Sequence, residues 1–264
     1  MQTNVAMPAP HGEPQWPEPC DLGATALLLD VDGTILDIAV TPASVVVPHS
    51  LRSCLGELHG MTGGALALVS GRPIRDLDQL FAPLRLPAIG AHGAEMRISA
   101  DRPMQTQSGE EIGASLRRRF CAIAATDSRI IVEDKGSSLA VHYRLAPHRE
   151  QLVKSQVSAI LDLTASQPLE VMYGKAVVEI KLPAFNKGAA VRELMKLPPF
   201  AHRTAVFVGD DTTDETVFAA LPALGGRGYS VERAIPGASG IFGSPDDVRR
   251  WLAHLCGRDG KHRQ

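Results

Sequence analysis

The chain has 264 residues, a formal net charge of −2 and 44% hydrophobic residues, enough for one large globular domain or a core carrying an insertion. Near-neutral charge, with no basic block longer than Arg117-Arg118-Arg119, argues against nucleic-acid binding, and no apolar run is long enough to span a membrane. The cysteines at 20, 54, 121 and 256 form no C-x-x-C pair, so neither a zinc site nor a secreted disulfide framework is supported.

Residues 1–23 carry Pro8, Pro10, Pro14, Pro17 and Pro19 among polar residues and read as a loose leader. They lack the charged start and apolar stretch of a signal peptide, so the cytoplasm is the expected compartment. Leu27 to Leu29 with Val31 read as a buried strand, at whose end stand Asp30 and Asp32. A buried carboxylate is costly unless something binds it. The following Asp-Gly-Thr supplies a tight turn with exposed N–H groups. Carboxylates for a hard cation beside N–H groups for an anion suit a phosphate ester and Mg²⁺.

Pro48 to Leu58 and Pro73 to Phe81 are helix candidates. Between them Ala65 to Val69 runs into Ser70-Gly71-Arg72, so residues 24 to about 96 read as a βαβ half-sheet. The middle reads differently. Gly109 to Ala124 is a helix candidate. Arg129 to Val132 and Ser137 to Arg144 read as strands joined by a turn at Glu133-Asp134-Lys135-Gly136. Arg149 to Leu161 is a second helix, and Leu169 to Met172 pairs with Ala176 to Lys181 around Tyr173-Gly174-Lys175. Val177 to Ile180 also shares the grammar of the core strands, because it precedes Asn186-Lys187-Gly188, which opens a helix. Thr204 to Val208 then runs into Gly209-Asp210-Asp211.

The expected fold is therefore α/β. A Rossmann-like, doubly wound, mostly parallel core spans 24–97 and 184–264, and an α+β cap is inserted at 98–183. The strand ends carry Asp, Asp, Ser and Asp, and ligands of such sheets bind beyond those ends.

Four elements, D-V-D-G-T at 30–34, Ser70, Lys187 and G-D-D-T-T-D-E at 209–215, together resemble the haloacid dehalogenase superfamily of phosphohydrolases. The cap placement, after Ser70 and before Lys187, resembles its sugar-phosphatase branch. Within that branch G-A-H-G-A-E at 90–95, V-E-D-K-G at 132–136, L-A-V-H-Y-R at 139–144 and Glu179 ahead of Asn186-Lys187-Gly188 resemble the trehalose-6-phosphate phosphatase family. The resemblance covers roughly residues 27 to 242. Asp37 departs from it, adding a charge where members often have an apolar or proline position.

The resemblance implies Asp30 as nucleophile forming an aspartyl-phosphate, and Asp32 as general acid and then base. It implies Mg²⁺ held by the Asp30 carboxylate, the Asp32 backbone carbonyl and Asp210. Thr34 would orient Asp32, while Asp211 and Asp214 would orient waters or Lys187, with a helix N-cap the alternative for Asp211. Ser70 and the Gly71 N–H would hold a phosphoryl oxygen, and Lys187 would balance its charge. Glu133, Lys135 and Glu179 match positions that recognise the sugar. Arg72, His92 and Arg144 are further candidates, although Arg144 could instead pair with a cap carboxylate. His142 reads as structural. Cap closure would hinge near Ile98 to Arg102 and Leu182 to Phe185.

The expected partner is a small phosphosugar, with no nucleic acid or membrane, and the chain is expected to be a monomer. Rival readings are a phosphatase of sucrose, mannosyl or hexose phosphates, a phosphomutase, and a non-catalytic phosphosugar sensor. A sensor could dispense with Asp32 or Lys187, and this chain keeps both.

Overall fold

The computed structural model describes residues 21–39, 44–106, 112–134, 138–163, 169–183 and 185–257. Among these, the strands make two sheets. The large one has the order β12-β11-β10-β1-β2-β3-β4-β5. Its parallel part contains β1 (Thr25–Leu29), β2 (Leu66–Val69), β3 (Ala88–Gly90), β10 (Thr204–Gly209), β11 (Arg227–Val231) and β12 (Gly240–Phe242). β4 (Glu95–Arg97) and β5 (Gln105–Thr106) continue it antiparallel. β5 thus lies in the large sheet although its residues fall inside the stretch read as the insertion.

β1 is buried along its whole length because both faces are covered. Its side chains alternate between two apolar layers. Leu27 and Leu29 pack with α1 (His49–Met61), α2 (Ile74–Phe81) and α7 (Pro245–Leu255). Ala26 and Leu28 pack with α5 (Lys187–Leu194) and α6 (Glu215–Ala220) on the other face. Pro48 and Pro73 stand immediately before α1 and α2, where a missing N–H breaks no helical bond.

The second sheet is antiparallel, in the order β6-β7-β9-β8: β6 (Ile131–Asp134), β7 (Ser138–His142), β9 (Val177–Lys181) and β8 (Glu170–Gly174). Val177 to Ile180 therefore pairs with β7 and β8, not with the parallel strands whose sequence pattern it shares. α3 (Ala114–Cys121) and α4 (Glu150–Asp162) cover this sheet through Leu116, Phe120, Val153 and Val157. Ala91 and Ala94 of the large-sheet body join the same apolar cluster, so the two sheets meet beside the loop after β3.

Strand β6 begins at Ile131, two residues later than the apolar pattern places it. The Asp127 carboxylate accepts the Arg129 N–H (3.1 Å) and the Asp127 carbonyl accepts that of Ile130 (2.9 Å), so a turn occupies the expected strand start. Helix α3 starts at Ala114; the earlier positions 109–111 of that expected helix lie outside the described residues. No helix among the described residues is long and apolar enough to cross a membrane.

Candidate active site

Strands β10, β1 and β2 are neighbours and run parallel, and the residues that follow them are Asp210, Asp30 and Ser70. The ladder extends to the carboxylate itself, since the Asp30 N–H donates to the Val208 carbonyl at 2.9 Å. Lys187 opens α5 after its N-cap Asn186, whose side chain accepts the Ala189 N–H at 2.7 Å. The Lys187 ammonium donates to Asp30 Oδ1 at 2.7 Å and to Asp214 Oδ1 at 2.8 Å, with all three residues buried. Asp214 Oδ2 in turn accepts the N–H groups of Asp210 (3.0 Å) and Asp211 (3.1 Å). Asp211 caps the short turn Thr212–Asp214 and is exposed, which is the N-cap alternative of the sequence reading.

The electrostatics follow from burial. Desolvation pushes the Asp30 carboxyl well above its ordinary range; Lys187 offsets part of this, and Asp214 and Asp210 add to it. Desolvation opposes the Lys187 charge, yet Asp214 and Asp30 outweigh it and hold the ammonium above its ordinary value. Burial and then Asp214 push Asp210 up to about 6, against the hydrogen bond from Thr34.

Oxygens of Asp30, Asp210 and Asp214 lie within 4.8 Å of one another. Lys187 and two N–H groups engage Asp214, so Asp30 and Asp210 are the carboxylates better placed to face a cation. When ionised, the three clustered acids outnumber the one lysine and present hard oxygen donors. That donor set fits a divalent cation of the Mg²⁺ type.

The turn after Asp30 is tight. Gly33 has φ +87°, and a Cβ there would overlap the Asp210 carboxylate, so glycine is required on both counts. Thr34 Oγ1 donates to Asp210 Oδ1 at 2.9 Å. This corrects the expectation that Thr34 orients Asp32. The turn carries Thr34 toward the end of β10, and Asp32 is held from elsewhere. Arg72 Nε and Nη2 donate to the two Asp32 oxygens at 2.6 and 2.7 Å, a bidentate pair. Burial opposes the Arg72 charge, but the bond to Asp32 holds it above its ordinary value. Sequence reasoning missed this pair, which joins positions 40 residues apart.

Ser70 is buried, and its Oγ accepts the Arg72 N–H at 3.1 Å. Gly71 lies under the His92 ring, where a Cβ would come within 2.5 Å of the imidazole. His92 takes φ 56°, and its Nε2 lies 2.7 Å from Glu179 Oε1, which also accepts the Ser138 hydroxyl at 3.2 Å. His92 thereby links the loop after β2 to the second sheet. A further missed contact is Glu95, whose Oε2 accepts the Ile74 N–H at 2.6 Å and caps α2 just after the Ser70-Gly71-Arg72 loop. Its only sequence signal was its place at the end of G-A-H-G-A-E.

The remaining candidates spread out. Glu133 Oε2 pairs with His142 Nε2 at 3.0 Å. Among the described residues Arg144 pairs with backbone and not with a cap carboxylate: it donates to the Ala39 carbonyl and, at 2.9 Å, to that of Lys175. Nor does it share a strand with His142, because β7 ends at His142. Lys135 lies outside the described residues. The departing Asp37 is exposed and pairs with Arg249 at 3.1 Å.

Comparison with known proteins agrees with this architecture. The trehalose-phosphatase family model matches residues 28–235. A probable trehalose-phosphate phosphatase of Sinorhizobium fredii is 40% identical over 238 residues, covering 89% of each chain. The trehalose-6-phosphate phosphatase of Escherichia coli K12 is 36% identical over 227 residues, covering 86% of this chain and 85% of that one. The C-terminal domain of a C. albicans trehalose-6-phosphate phosphatase superposes with a TM-score of 0.75 at 22% identity, over 88% of this chain and 92% of that one, a likeness of fold. The chain belongs to the trehalose-phosphatase family and is an enzyme, a phosphoric monoester hydrolase.

Proposed function

We propose that the chain hydrolyses trehalose 6-phosphate to trehalose and phosphate with Mg²⁺, through an aspartyl-phosphate on Asp30. The observation that carries this reading is the buried Asp30–Lys187–Asp214 cluster at the end of β1. It holds one carboxylate oxygen of Asp30 on Lys187, which orients the group for attack on phosphorus.

Asp30 and Asp210, with the Asp32 backbone carbonyl, would hold the cation. When bound it would neutralise charge on the phosphoryl oxygens. Lys187 shares that task from the protein side, while Ser70 Oγ and the Gly71 N–H bind a phosphoryl oxygen. Asp32 gives a proton to the departing sugar oxygen and later takes one from the water that cleaves the aspartyl-phosphate. Both its oxygens are held by Arg72, so substrate must draw Arg72 off at least one of them.

The cap is assigned within residues 98–183, except β5 (Gln105–Thr106), which continues the large sheet, and the core to 24–97 and 184–264. Glu133, Lys135 and Glu179 recognise the disaccharide hydroxyls, and a site built for hydroxyls rejects sugars that lack them. The enzyme acts in the cytoplasm, where the Cys54, Cys121 and Cys256 thiols suit a reducing milieu.

The test is phosphate release with Mg²⁺ from trehalose 6-phosphate beside sucrose 6-phosphate, glucose 6-phosphate and mannose 6-phosphate, with Asp30→Asn as blank. A strong preference for trehalose 6-phosphate, absent from the blank, supports the whole reading. Preference for another sugar keeps the core chemistry and removes the cap assignment. No release by folded protein ends the proposal.

A further inference from the structure

Two cysteines far apart in sequence meet where α1 and α7 pack together against the large sheet. Cys54 lies on α1 and is buried; Cys256 is the half-buried C-cap residue of α7. Their sulfurs are 3.1 Å apart across 202 residues, and Cys256 Sγ also lies 3.7 Å from the Cys54 carbonyl oxygen. A disulfide has S–S of about 2.05 Å, so bonding needs roughly 1 Å of approach. The two helices are already packed in one apolar cluster that includes Leu51, Leu55, Leu252 and Leu255. Rotation about the side-chain bonds is therefore the main motion required.

We propose that Cys54 and Cys256 are an oxidisable dithiol that closes into a reversible disulfide stapling α1 to α7. The co-reactant is a small-molecule disulfide of the glutathione class. The more accessible Cys256 loses its proton and, as thiolate, attacks one sulfur of the oxidant, releasing one thiol and forming a mixed disulfide. Cys54, after losing its proton, attacks the Cys256 sulfur and releases the second thiol. Overall the two cysteines lose two protons and two electrons, and the oxidant is reduced to two thiols. The closed ring spans about 200 residues, so it constrains the unfolded chain strongly. It joins the helix that follows the nucleophile loop to the last described helix of the chain.

The test uses the full-length protein, reduced with dithiothreitol or oxidised with oxidised glutathione, then alkylated and digested without reductant for mass spectrometry. A peptide joining Cys54 to Cys256 is expected, lost on renewed reduction. Thermal unfolding of the oxidised protein should rise by about 5–10 °C. Cys256→Ser should abolish both effects while leaving phosphatase activity under reducing conditions unchanged; Cys54→Ala should also abolish both. A stable glutathione adduct on Cys256 without the joined peptide would overturn the proposal. So would dimers linked through Cys121 alone, or a joined peptide with no rise in Tm. The peptide is read on the unmodified chain, so the result does not depend on how well either variant folds.

Discussion

The charge cluster at the end of β1 and the polar pairs facing the second sheet are built on opposite terms. Asp30, Lys187 and Asp214 are each under 5% exposed and bonded to one another. Facing them, Arg72–Asp32 and Glu133–His142 are partly exposed, with side-chain accessibilities of 13%/34% for the first pair and 25% and 19% for Glu133 and His142. His92–Glu179 lies between these extremes. Burial makes the first group rigid, since an unpaired buried charge is costly. Partial exposure makes Glu133–His142 readily exchangeable, because a solvent-screened pair is worth only about 0–1 kcal/mol, while the bidentate Arg72–Asp32 pair is held more firmly. On the proposed reading the Asp30–Lys187–Asp214 cluster is set before substrate arrives, whereas Asp32 and the polar groups of the second sheet exchange partners when it binds.

The largest expected effect breaks the fixed group at its centre. Asp30→Asn should lower phosphate release by at least about 10³-fold. It should not lower stability. A carboxyl whose pKa is raised on folding stabilises the native state only while protonated, and that contribution is lost as pH rises through its folded value. Above the unfolded-state range, and without Mg²⁺, a carboxyl raised in this way opposes folding, so the variant should unfold at the same temperature or higher. A fall of several degrees would mean that the Lys187 contact outweighs desolvation at this position. Lys187→Met should act the other way on stability. It strands Asp30 and Asp214, and removing one partner of a buried pair costs about 3–5 kcal/mol. Chemical denaturation should show that loss, with activity down about 10²–10³-fold.

The same contrast explains what could be read from the sequence. Asp30, Ser70, Asp210 and Lys187 are local consequences of apolar runs that end in polar residues, so strand ends and a helix start name them without a structure. Partners are not local. Thr34 and Asp210 are 176 residues apart, His92 and Glu179 are 87 apart, and both contacts depend on backbone turns with positive φ at Gly33 and His92. No periodicity in the sequence reports those dihedral angles. The β9 segment was ambiguous for a related reason: a short, mostly apolar run looks alike in a parallel core strand and in a hairpin under a helix.

The exchangeable group predicts a smaller effect of a different kind. Glu133→Ala should raise KM for trehalose 6-phosphate by about 10–100-fold with a lesser change in kcat. Because its pair with His142 is partly exposed, Tm should hardly move. Steady-state kinetics beside thermal unfolding checks both. Equal loss of kcat and kcat/KM would instead place Glu133 in the fixed machinery.

Cation binding should sharpen the boundary between the groups. With Asp210 pushed up to about 6, its contribution to apoprotein stability is present below about pH 4 and lost as pH rises through about 6. A cation that needs the ionised carboxylate reverses this trend. The Tm increase caused by Mg²⁺ should therefore be larger at pH 7.5 than at pH 5, and a chelator should remove it. An increase independent of pH would show that Asp210 is not a ligand.

The smallest effect tests the hydrogen bond from Thr34 that ties the turn after β1 to that carboxylate. Thr34→Val keeps the side-chain shape and removes the 2.9 Å donation to Asp210. The loss of one hydrogen bond should cost about 1 kcal/mol. It should also raise Asp210 further, since the bond from Thr34 holds it down. The pH at which Mg²⁺ begins to stabilise the protein should then move upward in Thr34→Val and return in Thr34→Ser, which restores the hydroxyl. If Thr34 instead acted on Asp32, the valine variant would slow turnover while leaving the pH dependence of Mg²⁺ binding where it was.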